Sequence, residues 1–328
     1  MRGPTLMLVL VVLLPLLARG GYAYLLPLIQ LCGIYAIIVT GLTLLMGFTG
    51  QVSLGHAGFY GFGAYFGAVC CTSLGMPVWL AAPLALVAGG AMAYASGCMV
   101  LRLKGHHLAL ATLCLGVIVS EFIGKSKITG GAAGLYDLPE FSLFGLLTGR
   151  PLAKAYFIWF IVWLALLWVL FLTVSPVGRA LKAIDGDEAA AASLGVTVFQ
   201  LKLKVFTASG VLAALGGVLY AFVYAPSYLG PEEFGLMFSI SLVTMAVVGG
   251  MGNIWGGIMG AVVMTMLHEG ITTLGGKFGV TEIARYEQLL YGLLLVCTLI
   301  YFPRGMAPAI ADRLTGWGRA HKPIGSIS

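Results

Sequence analysis

An all-α integral membrane protein of about ten transmembrane helices is the fold this sequence predicts, and three observations predict it. Hydrophobic residues fill 60% of the 328 positions and charged residues only 9%, against about 25% charged in an ordinary soluble chain. A water-facing exterior cannot be built from that stock, so the solvent around most of the protein is hydrocarbon. The apolar residues also fall into long runs separated by Gly, Pro or charge. Finally, the 47 glycines follow no triplet period, which suits close helix contacts in lipid rather than collagen or a linker. One membrane domain covering residues 1–328 is the expectation.

The runs are Leu6–Leu17, Leu25–Met46, Leu54–Thr72, Val78–Leu101, Leu108–Ile123, Ala155–Val174, Leu203–Ala225, Leu236–Gly250, Ile254–Leu274 and Gln288–Phe302. Several have the ~20 residues that cross a core about 30 Å thick at about 1.5 Å per residue, while the first and the Leu236 run are short. Arg2 ahead of the first run and Ala18, Gly20 and Gly21 behind it have the look of a secretory signal peptide. A retained first helix is the favoured reading, and cleavage would leave nine. The formal charge of +6 is scattered at the ends of apolar runs rather than gathered in a stripe, so it reads as a topology signal and not as a nucleic-acid surface. Lys and Arg concentrate on the cytoplasmic side of membrane proteins. With ten helices this places both termini and the connections at 102–107 and 175–204 in the cytoplasm, and makes 124–154 a long external loop.

Two Gly-rich interruptions each split a pair of runs: Gly47 to Gly58, containing Gln51, Ser53 and His56, and Gly249 to Gly257, containing Asn253. By the helix count, the run at Leu25 starts outside and that at Leu203 inside, which allows an inverted repeat with Gly-broken helices. Close helix packing by glycine is the other reading. Broken helices leave backbone groups free, which lipid tolerates only around a cavity. Gln51, Ser53, His56 and Asn253 therefore either border a translocation path or hydrogen-bond between helices. His56 has no neighbouring Cys, Asp or Glu cluster, and no Cys-x-x-Cys pair occurs, so no metal site is expected.

The polar stretch Ser175 to Val196 reads as two short helices. Pro176 opens the first, and Asp185 with Glu188 three residues later forms a capping box for the second, which is Ala-rich and closed by Gly195. A rigid, small-faced helix of this kind fits another protein's cleft. From Gly178-Arg179-Ala180-Leu181-Lys182-Ala183 through Asp185 and Glu188-Ala189-Ala190 to Gly195, the stretch resembles the coupling loop of ABC importer permeases. More narrowly, the chain resembles the branched-chain amino acid permease family, LivM type. The matching stretches are Gly47 to Gly63, Leu103 to Leu113, Thr129-Gly130-Gly131 and Val247 to Asn253.

That resemblance implies a pore formed with a second permease subunit, a copy or a paralogue, in a bacterial inner membrane. It implies two cytoplasmic ATPase subunits docked on a coupling loop at 175–202, a periplasmic binding protein, and an external loop at 124–154 that faces the periplasm. The implied cargo is branched-chain amino acids or related small amino acids and amides. No Gly-x-x-x-x-Gly-Lys-Ser/Thr motif occurs, so the ATP and magnesium are expected on the partner subunits. Catalytic elbows and His-Glu-x-x-His are also missing from the sequence, and an enzyme is not expected. The alternative class is an autonomous ion-coupled transporter or channel. Such a protein places acidic groups at the membrane centre, whereas Glu121, Glu269 and Glu287 lie near the ends of runs.

Overall fold

The computed structural model describes residues 25–103, 105–141 and 149–277, with isolated positions between 292 and 306. The runs at Leu6–Leu17 and Gln288–Phe302 (apart from isolated positions of the latter), both termini, Lys104 and Glu287 lie outside the described residues. The eight remaining runs each become one helix. These are α1 (Leu25–Thr49), α2 (His56–Leu74), α3 (Val78–Val100), α4 (His106–Lys125), α5 (Pro151–Val174), α8 (Val198–Leu219), α9 (Leu236–Gly249) and α10 (Ile254–Lys277). Between α5 and α8 lie the two short helices α6 (Pro176–Gly186) and α7 (Glu188–Ser193). The protein is therefore an all-α membrane protein.

Helix ends follow local chemistry. Pro151 and Pro176 occupy the first turns of α5 and α6, where a missing N–H costs nothing. Pro77 precedes α3, and Gly75 closes α2 in the left-handed conformation, donating its N–H to the Cys70 carbonyl. α8 does not stop at Leu219 but continues as a wider π turn over Tyr220–Tyr224.

Among the described residues six helices, α1, α3, α4, α5, α8 with its π turn, and α10, are long and apolar enough to cross a membrane. They divide by burial. The apolar windows of α1 and α8 are 89% and 78% enclosed by protein, whereas those of α3, α4 and α5 are 28%, 22% and 33% enclosed. α1 and α8 are thus the inner pair, and the other three form a wall whose outer faces suit lipid. α2 lies against α8, α3 and α4, and glycines let it approach. A Cβ on Gly58 would lie 3.0 Å from the Gly116 Cα of α4, and one on Gly63 would lie 2.6 Å from the Ala214 Cα of α8. α9, at 14 residues, spans only about 21 Å at ~1.5 Å per residue, and it pairs with α10.

α1 and α8 run in opposite directions. Gly41 packs on Ser209 and Leu212, whereas Gly216 packs on Ile38 and Ile34, so rising numbers in one helix meet falling numbers in the other. At the far end, the connection before α9 pairs with the loop after α4 as a minimal antiparallel ladder, Leu135 opposite Leu229 and Tyr136 opposite Tyr228. That loop carries Thr129-Gly130-Gly131 and runs between Lys125 and Pro151, slightly shorter than the 124–154 expected, with 142–148 outside the described residues.

Candidate translocation and coupling sites

At the end of α1 the chain turns at Gly50, whose φ is +63°, and residues 51–55 re-enter the bundle before α2 begins. The first amides of a helix have no partner within the helix, and here one of them, together with the Leu54 amide just ahead of the helix, finds a partner on a distant element. Leu54 N–H donates to Thr112 Oγ1 of α4 at 3.1 Å, and Ala57 N–H to Ser239 Oγ of α9 at 3.2 Å. His56 sits between two hydroxyls. Its Nδ1 lies 3.0 Å from Ser53 Oγ and its Nε2 2.7 Å from Ser209 Oγ of α8. All three residues are buried. A neutral imidazole donates from one nitrogen and accepts at the other, so one hydroxyl receives the ring proton and the other gives its own. Phe59 meets the ring edge-on at 5.8 Å. This arrangement fastens α2 to α8 across the chain.

Gln51 and Asn253 are placed differently. Gln51 is 3% exposed and its Oε1 has no hydrogen-bond partner. It lines a cavity of about 450 Å³ at the α7 end of the bundle. Asn253 starts α10, accepting the Trp255 N–H at Oδ1 at 3.2 Å, as a capping side chain does. The two Gly-rich interruptions meet. A Cβ on Gly47 would lie 2.8 Å from the Gly252 Cα and closer still to its amide nitrogen, so the end of α1 and the α9–α10 turn touch backbone to backbone.

The α6–α7 segment lies at this same end, since a Cβ on Gly50 would lie 3.1 Å from Asp185 Oδ1. α6 anchors it. Leu181 and Ile184, three residues apart on one face, are buried, while Arg179, Lys182 and Asp185 are exposed. Gly178 is buried where a Cβ would lie 2.6 Å from the Thr173 Cα, which fixes a tight corner after α5. Ser175 caps α6 through the Gly178 N–H at 3.4 Å. The cap of α7 is Asp187, not the expected Asp185. Asp187 Oδ1 accepts the Ala189 and Ala190 amides at 2.8 and 3.1 Å, because Asp185 is still inside α6. Glu188 instead forms an ion pair with Lys202 of α8. Ala189 and Ala190 face outward, and Gly195 follows with φ +84°, a conformation that L side chains resist.

Sequence reasoning missed four residues. Thr112, Ser209 and Ser239 are hydroxyls inside apolar runs, and nothing local distinguishes them from other Ser and Thr. Leu194, just after α7, is 81% exposed. Its sequence signal is an apolar residue that directly follows a polar, Ala-rich segment.

Two enclosed helices within a lipid-suited wall, with helix breaks that meet backbone to backbone, define a polytopic helical membrane protein. The chain belongs to the family described as branched-chain amino acid transport system permease component, whose profile it matches over residues 24–299. It is 31% identical over 305 residues to the high-affinity branched-chain amino acid transport system permease protein LivM of Salmonella typhimurium (strain LT2), covering 86% of this chain and 69% of that protein. To LivM of Escherichia coli (strain K12) it is 30% identical over 332 residues, covering 94% and 75%. It is also 27% identical to the ribose import permease protein RbsC of Haemophilus influenzae, covering 81% and 80%.

Proposed function

We propose that this chain is one of the two permease subunits of an ABC importer and that it passes branched-chain amino acids into the cytoplasm. In this reading a second permease subunit, a paralogue, completes the pore. Two ATPase subunits carry the ATP and magnesium, and a periplasmic binding protein delivers the cargo to a complex in the bacterial inner membrane, with both chain termini cytoplasmic. The family supports the permease role. Similarity to LivM favours branched-chain amino acids, and the ribose permease among the relatives makes the cargo the finer part of the proposal.

The observation that carries the reading is the α6–α7 segment. It is a capped helix pair, braced on the bundle by Leu181, Ile184 and the Glu188–Lys202 pair, with Arg179, Lys182, Ala189, Ala190 and Leu194 turned outward. Through Gly50 it touches the end of α1, and α1 touches the α9–α10 turn. A push on α7 therefore reaches both helix breaks through α6, the Asp185 side chain beside Gly50 and the Gly47–Gly252 backbone contact. The path runs beside those breaks, with Ser53 and His56 holding its wall and Gln51 and Asn253 at its inner end. Closure of the ATPase pair rocks the helices about the breaks and exposes the path to each side in turn.

Reconstitution of the complete complex in vesicles tests this. Uptake of a branched-chain amino acid should require ATP and the loaded binding protein. Leu194→Asp should lower binding-protein-stimulated ATP hydrolysis at least about tenfold, since an unpaired carboxylate enclosed in a docking interface costs several kcal/mol, while melting stays unchanged. Uphill uptake by the purified chain alone, driven by an ion gradient, would establish an autonomous carrier instead.

A further inference from the structure

The π turn at the far end of α8 from α7 lies in an aromatic cluster, and such turns are frequent at functional sites. Tyr220 and Tyr224 belong to the turn, their ring centroids 5.3 Å apart. Tyr220 meets Tyr60 of α2 at 5.7 Å, and Tyr60 lies 4.9 Å from Phe234, just before α9, and 5.1 Å from Phe238 within it. The cluster also holds a carboxylate. Glu233 accepts a hydrogen bond from the Tyr220 hydroxyl, and the Tyr224 hydroxyl is within electrostatic reach of Glu233 and of Glu269 on α10. No lysine or arginine among the described residues pairs with Glu233. Burial pushes its carboxyl above the ordinary range, against the lowering by the Tyr220 bond, as expected of a negative charge short of water and without a cation.

Tyr60, Tyr220 and Phe234 are buried, whereas Glu233 is exposed and Tyr224 and Phe238 are half-buried. The cluster is thus closed on one side and reachable on the other. Glu233 and Tyr224 flank Tyr220, one on its hydroxyl and the other against its ring. An ammonium nitrogen reaches a carboxylate oxygen at about 2.8 Å and is attracted to an aromatic face within about 6 Å of its centroid, so a single ammonium group can touch both. The half-buried Phe238 ring gives a hydrocarbon side chain an apolar surface. A neutral sugar brings no charge to this place, and a 2-oxo acid brings only a carboxylate to meet a carboxylate.

We propose that this cluster is an entry site, in which the ammonium group of an apolar α-amino acid rests on the Glu233 carboxylate and the Tyr224 ring while the cargo's own carboxylate, repelled by Glu233, stays on the water side. This rests on the amino-acid cargo proposed above and adds a selection by charge in the permease itself.

Saturation-transfer NMR on the complete complex in nanodiscs, without binding protein, tests it. Irradiation of aromatic protons should saturate the protons of millimolar leucine, beyond the signal from empty nanodiscs, and should leave 4-methyl-2-oxopentanoate untouched. Glu233→Gln, which keeps an acceptor for Tyr220, should melt as the natural protein does and raise the half-saturating leucine concentration about tenfold or more, as expected when a charge-assisted contact becomes neutral. Tyr224→Leu, which removes the ring face, should raise it severalfold. No saturation of leucine, equal saturation of the 2-oxo acid, or an unchanged half-saturating concentration in Glu233→Gln overturns the entry site. Uptake by wild-type vesicles with the loaded binding protein separates the two failures. With uptake of a branched-chain amino acid present and saturation absent, only the entry site falls; with no uptake of any branched-chain amino acid, the cargo reading falls and the entry site with it.

Discussion

The start of α2 and the start of α7 both leave backbone amides in need of acceptors, and they meet that need by different means. At α2 the acceptors are Thr112 and Ser239, 58 and 182 residues away from the amides they receive, and His56 reaches Ser209 at a separation of 153. At α7 a single carboxylate, Asp187, serves the amides two and three positions on. The first arrangement exists only when four helices are already in place. The second forms within one turn of chain. The difference matches their surroundings, because hydrocarbon offers an unpaired amide nothing whereas water at an exposed segment tolerates imperfect pairing. An element capped the first way is rigid and forms cooperatively, and one capped the second way keeps its shape without the rest of the bundle.

The sharpest way to break this contrast is to separate the two helix breaks. Gly47→Leu places a side chain against the Gly252 backbone, which cannot move aside as a flexible side chain would. Overpacking ordinarily costs about 1–3 kcal/mol, and a collision with backbone should reach or exceed the top of that range. The expected result is loss of monodisperse protein in detergent or a large drop in melting temperature. Gly270→Ala, where nothing lies within 4 Å of the added Cβ, is the control and should melt no lower than the natural protein. Equal tolerance at both positions would mean that the two breaks are not in contact.

His56→Ala comes next in size. It strands the Ser53 and Ser209 hydroxyls in the interior, each at about 1–3 kcal/mol, and opens a void beside Phe59. Thermal unfolding in detergent should show a clear destabilisation. The combined change Ser53→Ala, His56→Leu, Ser209→Ala removes every stranded group and should recover most of the loss, since replacing all partners of a buried polar contact is far cheaper than removing one. If the triple variant melts as low as His56→Ala, shape rather than hydrogen bonding holds α2 to α8.

The same contrast explains what the sequence made legible. The eight apolar runs within the described residues match eight helices to within about five residues at each end, because hydropathy and Gly or Pro punctuation are local. The exposed faces of α6 and α7 were legible for the same reason. The cap of α7 was misplaced by two residues, since Asp185 and Asp187 both precede an Ala run and only the length of α6 decides between them. The clasp around His56 was half legible. Ser53 and His56 stand out beside a Gly-rich break, but Ser209 lies in an apolar run on another helix, and only the antiparallel packing of α1, α2 and α8 brings it there. Asn253 shows the converse. It drew attention as a polar residue near glycines, and its position is that of a helix cap. Gln51 was noticed for the same reason, yet its unpartnered oxygen, the feature that sets it apart, is a property of packing alone.

The smallest expected effect probes the local side of the contrast. Asp187→Ala removes the acceptor for two amides of α7, and loss of an N-cap costs about 1 kcal/mol. A six-residue helix cannot absorb that from its own hydrogen bonds, because short helices are marginal in water, so α7 should fray while α6, held by Leu181 and Ile184, stays docked. Global melting should therefore shift little, and stimulated ATP hydrolysis should fall severalfold. Asp187→Asn keeps an acceptor oxygen and should restore coupling, whereas Asp185→Ala, which removes no cap, should leave α7 helical. A drop in global melting for Asp187→Ala comparable with that of His56→Ala would show that α7 is as deeply tied into the bundle as α2. The distinction between a self-capped element and a tertiary-capped one would then fail.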